Sequence, residues 1–423
     1  MVDMMHPQKK TTFKLLMGGM AGNFLEWFDF AIYGFFAVTI GKNFFPKEDP
    51  VAQVIATFGI FAIGFLMRPL GGILLGYIGD RYGRQRAMLI SIAAMAIPTF
   101  LVGVLPTYAA IGLAAPIMLL LLRMIQGLSV GGEYTTSIIY MVEHCNPKRR
   151  GLVGSFASLG TNAGILLGSA FGSLLAASMS AEDLLTWGWR IPFLCGLFLG
   201  FAGFLIRRNP HGDAFKSNET HNPLKMAWRE HRKVIAQVAG LSMMTAVVFY
   251  LVFVYVVTWL ETVDNISPAH SLEINTISLL VLLVAIVTAG ALSDRLNPRL
   301  ILMTAAGLTA IFAWPLFWLM HSESMVHASL GQIGFAILLG SYLGVQPAYM
   351  VQVIPPAVRC TAAGFSYNVT LGVAGGFTPM VAAWMVARLH DDLSPAYMII
   401  VAALISFYAL WTMRNRVVIE VAF

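Results

Sequence analysis

Runs of about twenty mostly apolar residues follow one another from Phe13 to Arg414, with short polar breaks between them. In hydrocarbon the backbone polar groups must be satisfied without water, so runs of this length can only be membrane-crossing helices. The chain is therefore expected to be an all-α polytopic membrane protein. Twelve spans are expected, at about 13–44, 51–78, 87–106, 110–144, 150–177 and 189–207, then 233–260, 272–293, 299–320, 328–354, 358–387 and 395–414. Short loops favour sequential antiparallel packing. Charged residues make up only 11% of the chain, where a soluble domain carries about 25%.

Basic residues lead straight into the first span, with no small-residue cleavage site at its end, so a cleaved signal peptide is not expected. With both termini cytoplasmic, twenty-one Lys and Arg fall on the inner side and four, Lys42, Lys47, Arg190 and Arg388, on the outer. That bias sets the orientation, and a cell inner membrane is the expected location. The net charge of +6 says little about nucleic acid, and no such partner is expected. Cys145, Cys195 and Cys360 are scattered and no CxxC occurs, so neither a disulfide nor a metal site is expected. A monomer is expected, with no cofactor.

The chain also repeats itself. Gly76-x-x-x-Asp80-Arg81 recurs as Gly290-x-x-x-Asp294-Arg295, and Tyr140-Met-Val142 with Arg150 and Phe156 recurs as Tyr349-Met-Val351 with Arg359 and Phe365. The offsets, 214 and 209 residues, imply two six-helix halves, 1–207 and 233–423. The polar, basic segment 208–232 joins them, with a short surface helix expected around Leu224–Arg232. Repeats related by an axis along the membrane normal, with a site at their interface, are a transporter plan.

The chemistry is concentrated in the first span. Glu26 lies about 18 Å past Lys14 along a helix, deep in a bilayer core about 30 Å thick. A carboxylate there must be paired, protonated or wetted by a cavity. Glu26 and Asp29 share a helix face, and Tyr33 extends it by a turn. Arg68, Arg123 and Glu133 are the other charges expected inside spans, all in the first half. The second half offers neutral polar groups near mid-depth: Tyr342, Gln346, Tyr367 and Asn368. Intramembrane charges face a shared interior and pair, so proton chemistry is expected in the first half, with shape and hydrogen bonds from the second. Arg123 has a fork suited to a carboxylate, either the substrate's or that of an ionised acid in span one. Competition between the two gives symport a simple logic: protonating Asp29 or Glu26 frees the arginine, and deprotonation reclaims it. Glu133 is a third proton carrier, with Arg68 as its expected partner. The alternative is that these charges only lock helices together.

Gly76-Tyr-Ile-Gly-Asp80-Arg81-Tyr-Gly83-Arg84-Gln-Arg86 resembles the signature between spans two and three of the major facilitator superfamily. Asp80 is expected to accept from a neighbouring helix N-terminus, with Arg81 and Arg84 in a cytoplasmic charge network. The second copy, Asp294 and Arg295, is expected to form a weaker latch. Four further stretches resemble the metabolite:proton symporter branch, which includes proline/betaine, α-ketoglutarate, citrate and shikimate permeases. They are Gly22-Asn-Phe-Leu-Glu26-Trp-Phe-Asp29, Arg68-Pro-Leu-Gly-Gly72, Arg123-Met-Ile-Gln126-Gly-Leu-Ser-Val-Gly-Gly-Glu133-Tyr134 and Trp187-Gly-Trp-Arg190-Ile-Pro-Phe193. Gly41-Lys-Asn-Phe-Phe-Pro46 looks most like the proline/betaine permeases. Osmosensing members of that group carry a C-terminal coiled coil. Only a short tail follows the last expected span, so osmosensing is not expected.

The resemblance implies a transporter that imports a small carboxylate-bearing metabolite with protons as the coupling ion. A proline- or betaine-type zwitterion is the first substrate class and a di- or tricarboxylate the second. The rival is an exporter or proton-independent facilitator of an organic acid or carboxylate siderophore. Gly160, Gly164, Gly168 and Gly172 form a close-packing stripe in span five. No proline interrupts it, unlike the glycine motif of drug:proton antiporters. Gly372, Gly375, Gly376 and Pro379 predict a broken helix in span eleven. Trp27, Phe28 and Tyr33 are packing residues that can also wall a quaternary ammonium site. No Walker-type loop, His/Cys cluster or sizeable soluble domain points to an enzyme.

Overall fold

The computed structural model describes residues 13–46, 49–72, 74–75, 84–131, 133–207, 229–322, 324–355 and 359–413. Helices dominate it. They are α1 (Phe13–Phe35), α2 (Ala37–Phe44), α3 (Pro50–Leu66), α4 (Arg84–Val104), α5 (Ala114–Val130), α6 (Glu133–His144), α7 (Arg150–Ser178) and α8 (Ile191–Arg207). After the linker come α9 (Arg232–Tyr250), a π segment (Leu251–Tyr255), α10 (Val256–Thr262), α11 (Pro268–Ser293), α12 (Pro298–Met320) and α13 (Met325–Val353). The last are α14 (Arg359–Thr370), a second π segment (Leu371–Gly375), α15 (Gly376–Leu389) and α16 (Pro395–Thr412). Among the described residues, each of the twelve expected spans falls largely on helix. Among the described residues, 8 helical runs are long and apolar enough to cross a membrane, and Ile90–Val104 and Ala114–Val130 are shorter apolar helices. Most of the linker, 208–228, lies outside the described residues, as do Asp80 and Arg81.

Several helix starts are written in the sequence as an Asx or Ser cap followed by proline. Asp49 Oδ1 accepts from the amides of Val51 and Ala52 ahead of α3. Asn297 Oδ1 accepts from the Arg299 amide ahead of α12, and Ser267 caps α11. The proline that follows each cap has no N–H to leave unsatisfied.

The glycine stripe of α7 packs where close approach is needed. A Cβ on Gly164 would fall 2.2 Å from the Phe24 carbonyl oxygen, and one on Gly160 3.0 Å from the Met20 Cα. So α7 lies directly on α1 and holds the Glu26/Asp29 face in place.

Contacts between the first six spans and the last six occur at both ends of the bundle. At the end that carries Phe13 and Thr412, here the termini end, Asp294 accepts from the amides of Gly151 and Leu152, at 2.7 and 3.0 Å. The carboxylate caps the start of α7, where the helix dipole favours an anion. Arg359 Nη1 beside it donates to Glu143 Oε1, tying α14 to α6. At the far end Ser169 Oγ donates to the Leu272 carbonyl (3.2 Å) and meets Thr276 Oγ1 at 2.8 Å. Between the two ends, aromatic rings of α1, α3 and α9 interlock. Trp27 lies 6.1 Å from Tyr250, and Phe65 lies 5.1 Å from Tyr250, centroid to centroid.

Candidate functional site: two stacked acid–arginine pairs

Glu26, Asp29 and Tyr33 lie on the inward face of α1, and each meets a polar partner from α3, α5 or the turn after α3. Asp29 holds the better-made pair. Its Oδ2 is 2.9 Å from Arg123 Nη1, with side chains 3% and 0% exposed. Gln126 Nε2 reaches both carboxylate oxygens at 3.1 Å and also donates to Thr99 Oγ1 at 2.8 Å. The Arg123 guanidinium lies 3.9 Å from the centroid of the Tyr33 ring, a cation–π contact in a desolvated setting. Tyr33 is fixed in turn by its hydroxyl, which donates to the Thr57 carbonyl at 3.0 Å. Arg123 thus has an anion, a ring and a neighbouring amide before any solute arrives.

One turn nearer the termini end, Glu26 Oε1 stands 3.8 Å from Arg68 Nη2, and both side chains are buried. This pair is loose. None of the three Arg68 guanidinium nitrogens makes a hydrogen bond. The guanidinium is sandwiched between the Phe65 ring at 5.0 Å and the Trp27 ring at 5.5 Å. Trp27 Nε1 and the Tyr250 hydroxyl are buried and likewise unpartnered. Glu26 of α1 and Arg68, just past α3, thus stand at the same depth; the pairing of Arg68 with Glu133 expected from the sequence falls on a side chain that is not described. Glu133 opens α6, and its side chain lies outside the described residues.

The four polar residues expected from the second half divide in two. Tyr367 stacks on Tyr134 at 5.0 Å, and Asn368 Nδ2 donates to the Gly131 carbonyl at 2.8 Å, so α14 seals the break between α5 and α6. Tyr342 and Gln346 instead turn to α9: the Tyr342 hydroxyl donates to the Leu241 carbonyl at 2.7 Å, and Gln346 bonds Ser242 and Thr245. Of the latch residues, Asp294 caps the N-terminus of α7, the contact expected of its counterpart Asp80, and Arg295 is exposed. Asp80 and Arg81 lie outside the described residues, as does the side chain of Arg84.

Two features escaped the sequence reading. The broken helix of span eleven was expected from its glycines, and the π segment lies there. The matching break in span seven was not, although the run from Val247 to Val257 is almost entirely β-branched or aromatic, which weakens α-helix. Its loosened carbonyls at Val252 and Phe253 accept from the Gln332 and Asn275 amides, at 2.8 and 3.3 Å. The second is the Glu143–Arg359 bond, which sequence spacing alone cannot reveal across 216 residues.

That bond gives a first prediction. Glu143→Gln should loosen the termini end. A partly exposed ion pair is worth about 1 kcal/mol, so the open population should rise about fivefold. The reporter is Ser155→Cys, because Ser155 is fully buried on α7 facing Gly290. Its labelling by a thiol reagent should speed up by the same factor. With Cys195 and Cys360 replaced by serine, the native Cys145 adds little background, since burial pushes its thiol up to about 11. Unchanged labelling would show that the bond does not hold that end shut.

Comparison with known proteins agrees with this architecture. The family model of the Major Facilitator Superfamily matches residues 19–379. A proline/betaine transporter of Salmonella typhimurium is 36% identical over 93% of this chain and 81% of its own length. A glycine betaine/proline/ectoine/pipecolic acid transporter of Dickeya dadantii is 35% identical over the same shares. Among solved structures, a D-xylose–proton symporter superposes with a TM-score of 0.75 at 18% identity, covering 96% of this chain and 98% of its own. At that identity the likeness concerns the fold. A polar core of paired charges inside a helical bundle, matched along most of its length by membrane transporters, makes the chain a member of the Major Facilitator Superfamily.

Proposed function

We propose that the protein is a proton-coupled importer of a small zwitterion of the proline/betaine type. Two six-helix units, 1–207 and 233–423, would rock about the site on either side of the 208–232 linker. The termini end is read as cytoplasmic and the bilayer as a bacterial inner membrane, on the strength of the basic-residue bias and the bacterial relatives. One chain supplies every named site residue, which fits a monomer.

The observation that carries the coupling is the tight, buried Asp29–Arg123–Gln126 arrangement. Two states of Asp29 change what Arg123 can hold. Ionised, the carboxylate binds the guanidinium. Protonated from the outer side, it loses most of that attraction and Arg123 is released to the surrounding helices. A shift in one buried pair biases a bistable interface. The substrate class follows from the relatives and from the carboxylate-binding capacity of two buried arginines.

Everted or right-side-out vesicles carrying the protein test the reading. An inward proton gradient should raise labelled betaine or proline accumulation about tenfold over its equilibrium level, since a pH step of one unit is worth about 1.4 kcal/mol per coupled proton. Equal accumulation with and without the gradient would reject coupling.

A further inference from the structure

We propose that Thr99 is a positioning residue for proton exchange at Asp29: working through Gln126, it decides which end of that amide the carboxyl group meets. The proposal rests on the proton-coupled reading above and names the groups that set how firmly Asp29 holds its proton.

Each hydrogen bond in this chain of groups has a fixed direction. The Thr99 hydroxyl donates to the Met95 carbonyl one turn back on α4, at 2.7 Å. Its hydrogen is thereby committed, and towards Gln126 it can only accept. Gln126 accordingly turns its nitrogen to both neighbours. One amide hydrogen goes to Thr99 Oγ1 at 2.8 Å, and the other is shared between the two Asp29 oxygens at 3.1 Å. The opposite orientation would set the amide oxygen against a carboxylate and a committed hydroxyl, acceptor facing acceptor. The neighbouring helix holds Thr99 in this rotamer. A Cβ on Gly196 of α8 would fall 2.3 Å from Thr99 Cγ2 but 4.0 Å from its Oγ1. So α8 seats the methyl group and leaves the hydroxyl for α5.

This setting suits the ionised carboxylate, because hydrogen bonds made to a charged form favour that form. A protonated Asp29 becomes a donor, and its O–H needs an acceptor where Asp29, Gln126 and Thr99 are all buried. The acceptor at hand is Gln126 Oε1, which is buried and, among the described residues, makes no hydrogen bond. Turning the amide over brings that oxygen to the acid. Thr99 must then swing its hydrogen from the Met95 carbonyl to the amide, and Gln126 Nε2 gives up its bonds. The proton comes from solvent and returns to it; Gln126 and Thr99 turn but transfer none. Thr99 therefore weights the balance towards the carboxylate that grips Arg123 at 2.9 Å. The charged and titratable groups around Asp29 are Arg123 from α5 and Tyr33 on its own helix. One turn away stands the Glu26–Arg68 pair, with Tyr250 from α9 beside it. α4 contributes Thr99 and α7 its glycine stripe, neither titratable. A change at Thr99 alters none of these charges.

The test is an infrared pH titration of the purified protein with no solute present. The carboxylic-acid band of Asp29 is the one that Asp29→Asn removes. Thr99→Val keeps the branched shape and the contact with Gly196 but offers no oxygen to the amide. The ionised state then loses its oriented donor, so the band should persist to higher pH. Its midpoint should move up by about half a unit to one unit, the worth of one hydrogen bond. Thr99→Ser restores the hydroxyl and should bring the midpoint back to the wild-type value, although it removes the methyl. A packing role predicts the reverse, with serine the worse variant and valine neutral. Thr99→Ala should shift the band as Thr99→Val does, and replaces it if valine does not fold. A midpoint that Thr99→Val and Thr99→Ala leave unchanged overturns the proposal, as does one that moves in Thr99→Ser and not in Thr99→Val. So does the absence of an Asp29-dependent band between about pH 4 and 10, since no proton would be exchanged there. If the band behaves as expected but accumulation ignores the proton gradient, the role of Thr99 stands and the coupling falls. If accumulation follows the gradient and Thr99→Val leaves the band in place, the role of Thr99 falls and the symport reading stands.

Discussion

Asp29→Asn should abolish gradient-driven accumulation, by at least about a hundredfold, while exchange of labelled for unlabelled solute continues. A group that must bind and release a proton contributes nothing once it can do neither, and losses of this size are typical when an acid–base residue is removed. Exchange needs only alternation of the loaded carrier, which the amide variant would permit because its side chain resembles a permanently protonated acid. The substitution has a structural cost as well. Arg123 would keep the Tyr33 ring but lose its anion, and stripping one partner from a buried pair costs about 3–5 kcal/mol. Gln126 can still donate to the oxygen of the introduced amide, so part of the geometry survives. The measurement is therefore paired: accumulation under a pH gradient, and counterflow at zero gradient on the same vesicles. If both fall together, the residue holds the fold and coupling must be sought elsewhere. If accumulation persists, Asp29 is not the coupling acid.

The contrast between fold and site explains what the sequence makes legible. Spans can be read because hydrocarbon enforces length and apolarity on every one of them. That α7 packs closely on a neighbour was readable from glycines every four residues, since only small residues permit backbones to approach; that the neighbour is α1 was not. Glu26, Asp29, Arg68 and Arg123 stood out because charge in a span needs a reason. The sequence could not say which acid meets which arginine. That depends on the relative depth of three helices, and a shift of one turn would swap the partners. The same limit hid Glu143–Arg359, and it let Tyr342 and Gln346 look equivalent to Tyr367 and Asn368. All four lie near mid-depth in their spans, but rotation about the helix axis sends two toward α9 and two toward the break between α5 and α6.

Gly127→Ala should remove most folded protein from the membrane, or leave it without accumulation, and Gly131→Ala should do the same. The reason lies in how α3 and its continuation lie on α5. A Cβ on Gly127 would stand 1.8 Å from the Gly64 carbonyl oxygen, and one on Gly131 1.9 Å from the Arg68 carbonyl oxygen. From the other side, a Cβ on Gly71 would stand 1.9 Å from the Leu128 carbonyl oxygen. Each obstacle is backbone, so no side chain can swing aside. The three positions share one interface, and relief at one forces the whole contact apart by about 1 Å or more, an overpacking cost of about 3 kcal/mol or above. The site suffers directly. The carbonyl that Gly131 admits belongs to Arg68 itself, and the Arg123 carbonyl rests 3.1 Å from where a Cβ on Gly64 would be. Separating these helices therefore moves both arginines away from α1, loosening a contact that is 2.9 Å at Asp29 and already 3.8 Å at Glu26. Gly307→Ala is the matched control. A Cβ there meets only the Phe407 ring edge at 3.6 Å, and alanine favours helix over glycine by up to about 1 kcal/mol. It should fold and accumulate solute like the parent. If Gly127→Ala behaves like Gly307→Ala, then backbone contact between α3 and α5 does not set the position of the arginines, and the depth matching that pairs Arg68 with Glu26 must come from α1 and α7 alone.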